Sequence, residues 1–215
     1  MEHTLAVHVI DCQCNLAQQL NAEVVVVHCG QMPDPQKKER QLRSLFRAGQ
    51  QDAPEFAALR AEMTAERKAT VRPYFEAVRR SLAELLEYAA PRKVRLGLEN
   101  RDKWFYIPMQ DEMEALLALG GPQELGFVFD SGHAAILDRL GFQSFWAWLE
   151  RFGPRMVECH LHDVSGLDDH FAPGLGNLDF GRIAAYLPAE AVRTLELHSR
   201  NAPAQVEAGL RLLAE

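Results

Sequence analysis

Short apolar runs alternate along the chain with longer segments in which apolar residues recur every three or four positions. Each run has six or seven residues and is rich in valine and leucine, which is typical of strands buried on both faces of a sheet. The runs are EVVVVH (23–28), VRLGLE (94–99), LGFVFD (125–130), MVECHLH (156–162) and RTLELH (193–198). Because strand-like and helix-like segments alternate with short connections, the pattern predicts an α/β fold built on a parallel sheet.

The helical periodicity is clearest in residues 72–89, where Phe75, Val78, Leu82 and Leu86 fall on one face. The same period predicts four shorter helices, at 111–119, 145–152, 180–187 and 204–213. Every predicted strand after the first is thus followed by a predicted helix, as strand–helix units of a parallel sheet require.

Two segments before residue 72 are harder to assign. In the first 22 residues the apolar side chains, among them Val9, Leu16 and Leu20, share one helical face, which favours a helix capped by Thr4 over a strand at LAVHVI (5–10). Residues 30–70 are interrupted by prolines and glycine and carry frequent charges. We interpret them as an excursion that contains short helices.

The composition limits the class of protein. The chain has 215 residues, 47% of them hydrophobic and 25% charged, and its net charge is −7. This acidic balance argues against nucleic acid as a partner and against a membrane surface. No apolar stretch is long enough to span a bilayer, no signal peptide is evident, and the four cysteines form no CxxC pair. We therefore expect reduced thiols and a cytoplasmic protein.

Each predicted strand ends in, or close to, a residue that can bind a metal. Active sites of parallel α/β folds form at the carboxyl ends of the strands, where the following loops converge. The residues that this rule collects are His28, Glu99, Asp130, His133, His160, His162, Asp163, Glu196 and His198. They lie far apart in sequence, yet the predicted sheet brings them to one edge.

Taken singly, these residues have structural explanations as well. Glu99 could pair with Arg101, Asp130 could cap a helix, and His28 could be a hydrogen-bonded loop residue. Taken together, they would place several acids and imidazoles at the ends of buried strands, which is costly unless a cation balances the charge. The mixed imidazole and carboxylate set favours zinc or manganese, with iron, cobalt or magnesium as alternatives. Cys29 and Cys159 alternate with histidines and should face the other way.

The loop after His162 carries a second group of polar residues. Asp168 and His170 are separated by one residue and are followed by glycines at 174 and 176. The loop could return an acid and an imidazole to a site already marked by His160, or it could be a polar surface loop with a glycine turn.

The motifs LGLEN (96–100), FDSGH (129–133), HLHD (160–163), DDH (168–170), PGLGNLDF (173–180) and LEL (195–197) together resemble the xylose isomerase-like TIM barrel superfamily. This superfamily contains sugar isomerases and epimerases and the endonuclease IV group. The resemblance covers about residues 5–213, and it is specific in the order and spacing of the motifs. It implies a barrel of alternating strands and helices with a divalent metal at its carboxyl-terminal mouth.

The two branches of the superfamily imply different metal sites. The isomerase and epimerase pattern implies one metal on Glu99, Asp130, His160 and Glu196, whose two glutamates also exchange protons with the substrate. The endonuclease IV pattern implies a three-zinc cluster. Its matching positions would add His28, His133, Asp168 and His170.

The sequence departs from the superfamily at its N-terminal side. Only five convincing strands are present, and they resemble the last five of the eight strands of a complete barrel. We therefore expect a single domain over residues 1–215, an incomplete TIM barrel of about five βα units with a helical insertion at about 30–70. An open sheet exposes an edge, which a homodimer could cover.

Three functions follow from the resemblance. The first is a metal-dependent isomerase or epimerase of a sugar or sugar phosphate, in which Arg101, His133 and His162 contact the carbohydrate. The second is a multi-zinc phosphodiesterase similar to endonuclease IV. The third is a truncated, inactive barrel that keeps the metal ligands. The aromatic residues 104–106 could pack against a sugar or simply close the barrel.

Overall fold

The computed structural model describes residues 2–33 and 36–214, and within them the chain forms nine β-strands and nine α-helices. The strands are β1 (Val24–Val27), β2 (Gly30–Gln31), β3 (Arg95–Glu99), β4 (Tyr106–Ile107), β5 (Leu125–Asp130), β6 (Met156–Leu161), β7 (Asp163–Ser165), β8 (Asp168–Phe171) and β9 (Val192–Leu195). The helices are α1 (Glu2–Leu20), α2 (Gln36–Arg47), α3 (Pro54–Thr70), α4 (Arg72–Ala89), α5 (Gln110–Leu117), α6 (Ser131–Arg139), α7 (Phe145–Phe152), α8 (Phe180–Ala184) and α9 (Pro203–Ala214). Short 3₁₀ turns follow α4 and α7.

Five of the strands form a parallel sheet in the order β1-β3-β5-β6-β9, so that strands consecutive in the predicted series lie side by side. The predicted α/β class and the five-stranded parallel sheet are confirmed. Two antiparallel pairs, β2 with β4 and β7 with β8, are formed by segments that follow strands of the sheet. Because parallel strands end at one edge, all five following loops meet there.

The two faces of the sheet differ in chemistry. Phe127 and Phe129 of β5 are fully buried and pack against aromatic residues of α7, including Trp148 and Phe145. Cys159 of β6 points to the same side as this core, where its Sγ lies 3.6 Å from the Val192 carbonyl oxygen. Side chains on a strand alternate between faces, so the neighbouring His160 points to the opposite, inner face. The prediction that Cys159 lies away from the histidines is therefore correct.

Most helices agree with the hydrophobic periodicity, but α6 (Ser131–Arg139) was not predicted, and α3 is a helix of 17 residues where only short helices were expected. The longest predicted helix is confirmed as Arg72–Ala89, while α8 ends at Ala184, three residues before the predicted end. The first helix begins at Glu2, so Thr4 lies inside α1 and the predicted cap is wrong. None of the helices in the described parts of the chain is long and apolar enough to span a membrane.

The apolar side chains that mark one face of α1 are not buried. Val9, Leu16 and Leu20 are exposed, whereas the smaller Cys14 and Ala17 are buried against the rest of the protein. The sequence pattern identified the helix, but the apolar face that it marked is not the buried one. The reason is that α1 flanks β1, a strand at the edge of the sheet, so the sheet extends along only one side of the helix.

The sheet is open at both edges. Among the described residues, β1 pairs only with β3, and β9 pairs only with β6. The backbone groups on the outer sides of these two strands therefore have no partner strand in the sheet, which is a feature that proteins usually cover. The homodimer suggested above and the assignment of the whole chain to one domain stay predictions.

The segment between β2 and α4 forms helices α2 and α3. Helix α3 packs against the loop that follows β3 and is hydrogen-bonded to it. The Arg67 guanidinium of α3 forms a buried salt bridge with Glu112 at 2.6 Å and donates hydrogen bonds to the carbonyl oxygens of Trp104 and Tyr106. Trp104 and Phe105 are themselves buried. These two aromatic residues therefore close the core, which was one of the two roles considered for them.

Candidate metal centre

Four of the residues selected from the sequence meet at the carboxyl edge of the sheet. Glu99 and Asp130 are the last residues of β3 and β5, His160 lies in β6, and Glu196 directly follows β9. Each offers one ligand atom, and these atoms all lie within 4.8 Å of one another. Four side chains from four adjacent strands thus converge on one point. The set of three carboxylates and one imidazole is chemically suited to a divalent cation.

His160 lies at the middle of this group. Its Nδ1 is 2.9 Å from Glu196 Oε2, 3.6 Å from Glu99 Oε1 and 3.7 Å from Asp130 Oδ2. The same atom is buried and makes no hydrogen bond of acceptable geometry with any described residue. A buried nitrogen that faces three carboxylate oxygens without a hydrogen bond is suited to bind a cation placed among them. The residues present therefore fit a metal.

Asp130 has two roles in the structure. Its Oδ1 accepts a hydrogen bond of 2.7 Å from the His133 backbone N–H, so it caps helix α6, which was the structural explanation considered above. Its Oδ2 faces His160. The Asn100 side chain, which the sequence analysis did not select, donates to the Asp130 carbonyl oxygen and accepts from the Asp130 N–H. The cap and Asn100 together fix the carboxylate at the end of β5.

His162 does not contact the cavity. Its side chain is 0% exposed, its Nε2 lies 3.0 Å from Asp130 Oδ2, and its Nδ1 accepts a hydrogen bond from the His170 backbone N–H. The hydrogen bond to Nδ1 leaves the proton on Nε2, where it can be donated to Asp130. In this arrangement the His162 side chain is enclosed and orients Asp130, and the substrate contact expected of it stays a prediction.

A cavity of about 580 Å³ opens beside the four-residue group. It is lined by Val9, Gln13, Val26, His28, Glu99, Arg101, His133, His160, His170 and Glu196. Glu99 is only 2% exposed, whereas 47% of the Glu196 side chain is exposed. A molecule in the cavity would therefore meet Glu196 most openly.

Three cationic or neutral donors surround Glu99. His28 Nε2 lies 2.6 Å from Glu99 Oε2, Arg101 Nη1 lies 3.1 Å from the same oxygen, and His133 Nδ1 lies 3.1 Å from Oε1. Arg101 also contacts His28 and lies over the Tyr106 ring. The ion pair between Glu99 and Arg101 that was considered from sequence is present, and Arg101 lines the cavity as well.

The loop after β6 brings a second group of ligands near the first. Asp169, His170 and His198 could hold a metal ion, and so could Asp130, His133 and His170. The His170 ring stacks on His162 with a centroid distance of 4.2 Å, and its Nε2 is 3.6 Å from Glu196 Oε1. His170 therefore stands between the four-residue group and the outer pair Asp169 and His198.

Asp168 lies away from all of these groups. Its side chain is 60% exposed and pairs with Arg47 of α2 at 3.3 Å, whereas the neighbouring Asp169 lies 2.8 Å from His170 Nδ1. Asp168 is thus outside the groups of residues that could hold a metal ion here, and its role as a ligand of a further metal stays a prediction. Asp169 and His170 both lie on the inner side, because His170 has a positive φ of 59° and the side chains do not alternate there. Regular alternation would have paired Asp168 with His170, so no signal in the sequence identified Asp169.

Asp163 organises the loop that carries these residues. Its buried carboxylate accepts hydrogen bonds from the backbone N–H groups of Val164, Gly174, Gly176 and Leu178. A Cβ at position 176 would lie 2.4 Å from Asp163 Oδ1, so only glycine fits there. The glycines of this loop thus allow the backbone to approach an aspartate of the chain itself.

Charge pairing between acids and histidines shifts several pKa values in the site. Burial would raise the pKa of Asp130, but His133 and His162 hold it below its usual range. Burial would lower the pKa of His133, but Asp130 and Glu99 raise it to about 9. Ion pairing with Asp169 and Glu196 raises the pKa of His170 to about 10. Without a cation, the carboxylates thus stabilise the protonated, positively charged form of His133 and His170.

We expect the metal-free protein to lose stability as the pH rises from about 6.5, the unfolded pKa of histidine, through the raised pKa of His133. A group whose pKa is higher in the folded than in the unfolded protein stabilises the fold fully at a pH below the unfolded pKa. That contribution is lost as the pH rises through the folded pKa. The free energy of unfolding should fall by at most about 3 kcal/mol from His133, at about 1.4 kcal/mol per pKa unit. Urea unfolding in EDTA at pH 6 and 9.5 measures this change. A free energy of unfolding that is equal or higher at pH 9.5 would contradict it.

Comparison with known proteins places these observations in context. The model of the xylose isomerase-like TIM barrel family matches residues 2–215. An uncharacterized protein of Methanocaldococcus jannaschii is 30% identical over 104 residues, 46% of this chain and 34% of that protein. An uncharacterized protein of Sinorhizobium fredii is 28% identical over 121 residues, 56% of this chain and 38% of that protein. The matched regions thus span less than two fifths of these relatives.

Solved structures of similar fold include three epimerases or epimerase-like proteins. A D-tagatose 3-epimerase-like protein has a TM-score of 0.62 at 20% identity and covers 98% of this chain and 70% of its own. L-ribulose 3-epimerase has a TM-score of 0.59 at 16% identity, and the match covers 95% of this chain and 58% of the epimerase. The 3-keto-D-glucoside 4-epimerase from E. coli has a TM-score of 0.51 at 15% identity and covers 99% and 86%. At these identities the likeness shows the fold, and it confirms the incomplete barrel.

Proposed function

The chain belongs to the xylose isomerase-like TIM barrel family, and from that membership we propose that it is a divalent-metal-dependent sugar isomerase or epimerase. The observation that carries the proposal is the convergence of Glu99, Asp130, His160 and Glu196 within 4.8 Å at the carboxyl edge of the sheet. These four residues would hold the ion, with zinc or manganese as the first candidates. The ion would polarise the carbonyl group of the sugar and stabilise negative charge on its oxygen.

The two glutamates supply the proton chemistry in this proposal. Proton transfer beside a carbonyl needs a base that reaches the substrate carbon and an acid that returns the proton. Both carboxylates line the cavity, and contacts with the surrounding histidines hold their pKa values below the usual range despite burial, so both are ionised before substrate binds. Glu196, with the more exposed side chain, would remove a proton from the substrate carbon and later release it to solvent. Glu99 would first take up a proton from solvent and would then deliver it to the neighbouring carbon or to the opposite face.

Arg101 and His133 are the donors placed to bind the substrate. Both line the cavity, and each contacts a different oxygen of Glu99. They would donate to hydroxyl groups of the sugar or to a phosphate, and they hold the orientation of Glu99 while doing so. The epimerase names of the structural neighbours support a carbohydrate substrate, although the chain covers only part of their length.

Deuterium uptake by ketoses tests the proposal. The protein is stripped with EDTA, reloaded with Zn²⁺ or Mn²⁺, and incubated in D₂O with D-tagatose or L-ribulose, and deuterium beside the carbonyl is measured by mass spectrometry. We expect uptake and epimer formation only in the reloaded samples. Stoichiometric metal without any uptake from a wider panel of ketoses and ketose phosphates would oppose the proposal.

The second group of ligands favours one alternative function, a multi-zinc phosphodiesterase. His170 is shared by two further sets of residues that could hold a metal, one with Asp130 and His133 and one with Asp169 and His198. Additional ions there would lie close enough to the first to act on one phosphodiester. The acidic chain argues against DNA as the substrate but not against a small phosphodiester.

Metal counting separates the two functions. Under the isomerase proposal we expect one tightly bound ion per chain, and the substitution His170→Ala should leave that number unchanged because His170 is outside the four-residue group. Elemental analysis after gel filtration gives the count. Two or three zinc ions, reduced by His170→Ala, together with hydrolysis of bis(p-nitrophenyl) phosphate, would instead support the phosphodiesterase.

A further inference from the structure

Glu158 lies directly beneath the candidate metal centre. It belongs to β6 and is two residues before His160, so both side chains point to the inner face of the sheet. Its Oε1 lies 3.4 Å from His160 Nε2, on the side of the ring opposite the three carboxylates that face Nδ1. Glu158 is thus a fourth acid around one imidazole, and the ligand set described above does not use it.

Thr194 holds Glu158 in this position. The Thr194 hydroxyl donates a hydrogen bond of 2.8 Å to Glu158 Oε1, the same oxygen that faces His160. Thr194 lies in β9 opposite His160, two residues before Glu196. The Thr194 hydroxyl thus reaches from the level of His160 to the carboxylate of Glu158, two residues earlier on the neighbouring strand. The position of Glu158 is fixed by the strands rather than by a mobile loop.

The chemistry of imidazole gives this arrangement a consequence. A neutral histidine carries its proton on one ring nitrogen and a lone pair on the other, and a metal binds only the lone pair. Because Nδ1 faces Glu99, Asp130 and Glu196, the proton has to be on Nε2 for the ring to bind a cation among them. Glu158 Oε1 lies on that side of the ring, and a movement of a few tenths of an ångström brings the pair to hydrogen-bond length.

We infer that Glu158, held by Thr194, is a positioning residue that keeps the His160 proton on Nε2 and leaves Nδ1 free to bind the metal. Metal-binding histidines commonly donate their other ring N–H to a carboxylate, which fixes the ring and strengthens the ligand. The inference rests on the proposed function, because it presumes that His160 binds a metal. It goes further by assigning a role to two residues outside the ligand set.

Calorimetric titration of the metal-free full chain with Zn²⁺ or Mn²⁺ tests the inference. We expect Glu158→Ala to weaken metal binding by about 10- to 100-fold, the usual effect of removing such a partner. Glu158→Gln keeps an oxygen that can accept a hydrogen bond from Nε2, so its metal affinity should fall by less than about 10-fold. Glu190→Ala is the matched control, because it removes an exposed carboxylate at the opposite end of the sheet, just before β9.

The possible results separate a failure of the proposed function from a failure of the role assigned to Glu158. If the parent binds neither ion, the proposed function and this inference both fail. If the parent binds and Glu158→Ala binds equally well, only this inference fails. The same holds if Glu158→Gln is as weak as Glu158→Ala, because charge rather than a hydrogen bond would then explain the loss.

A measurement on the parent keeps the test valid if Glu158→Ala does not fold. Nitrogen-15 NMR of the zinc-loaded protein reports which ring nitrogen of His160 carries the proton. We expect a protonated Nε2 and a metal-bound Nδ1. A metal-bound Nε2 would overturn the inference.

Discussion

Glu196→Gln is expected to slow the metal-dependent exchange of ketose protons with solvent by about 10²- to 10⁴-fold, the usual contribution of a general acid or base. Glu196 is the member of the ligand set most open to the cavity, with 47% of its side chain exposed. Glutamine has nearly the same shape and keeps one ligand oxygen, but it cannot accept a proton at neutral pH. The substitution therefore removes the proposed base while it disturbs the site little.

The measurement is deuterium uptake by D-tagatose or L-ribulose at saturating Zn²⁺, with the metal content of the variant determined in parallel. Glu190→Gln makes the same chemical change at an exposed position before β9 and should exchange at the parental rate. If Glu196→Gln contains metal and exchanges protons as fast as the parent, Glu196 is not a proton-transfer group and the two-glutamate mechanism is wrong.

Asp130→Asn is expected to weaken metal binding by more than about 100-fold, beyond the 10- to 100-fold typical of residues that only support a ligand. It should also lower the free energy of unfolding of the metal-free protein by about 3–5 kcal/mol, because it breaks a buried charged network by removing one partner. Asp130 is fully buried, and its carboxylate faces His133, His160 and His162. Asparagine can still accept the hydrogen bond from the His133 N–H, so the cap of helix α6 is kept and only the charge is lost.

Asp168→Asn is the control for this experiment. It removes an aspartate charge from the same part of the protein, but Asp168 is exposed and pairs only with the exposed Arg47 among the contacts that the structure describes. Exposed pairs contribute little, so metal affinity and stability should change by less than about 1 kcal/mol. Calorimetric titration and urea unfolding measure both quantities. Equal effects of the two substitutions would show that the carboxylate of Asp130 has no special role.

The sequence predicts the architecture well because local signals agree with the tertiary arrangement. Apolar runs such as LGFVFD are buried on both faces and become strands, and a polar residue at the end of each run then has to lie at the common edge. This rule collects Glu99, Asp130, His160 and Glu196 together with five other residues, and only the resemblance to the family singles out these four. The rule gives which residues meet, but not their distances or hydrogen bonds.

Properties set by long-range contacts could not be predicted in the same way. The burial of His162 depends on α6 and on the returning strand β8, and the role of Asp163 depends on backbone groups more than ten residues further along the chain. The outward face of α1 depends on the absence of a neighbour beyond β1 within the described sheet. In each case the local pattern is compatible with either outcome, and the packing of distant segments decides.

The open sheet divides the proposed ligands between two kinds of strand. Glu99, Asp130 and His160 lie on β3, β5 and β6, which have a strand on each side, whereas Glu196 follows β9 at the edge. Edge segments open locally at a lower free energy than the strands between neighbours. Three ligands are therefore held by the most protected part of the sheet, and the fourth is held by a part that can detach.

If the centre binds a metal as proposed, local opening of β9 and metal binding are linked equilibria. An ion bound through Glu196 binds only while β9 is docked, so it stabilises the docked strand by about 2.7 kcal/mol at a metal concentration one hundred times its dissociation constant. Reciprocally, any contact that keeps β9 docked raises the apparent metal affinity. Any molecule that covers the open edge beside β9 would therefore also raise the fraction of protein that holds a metal ion.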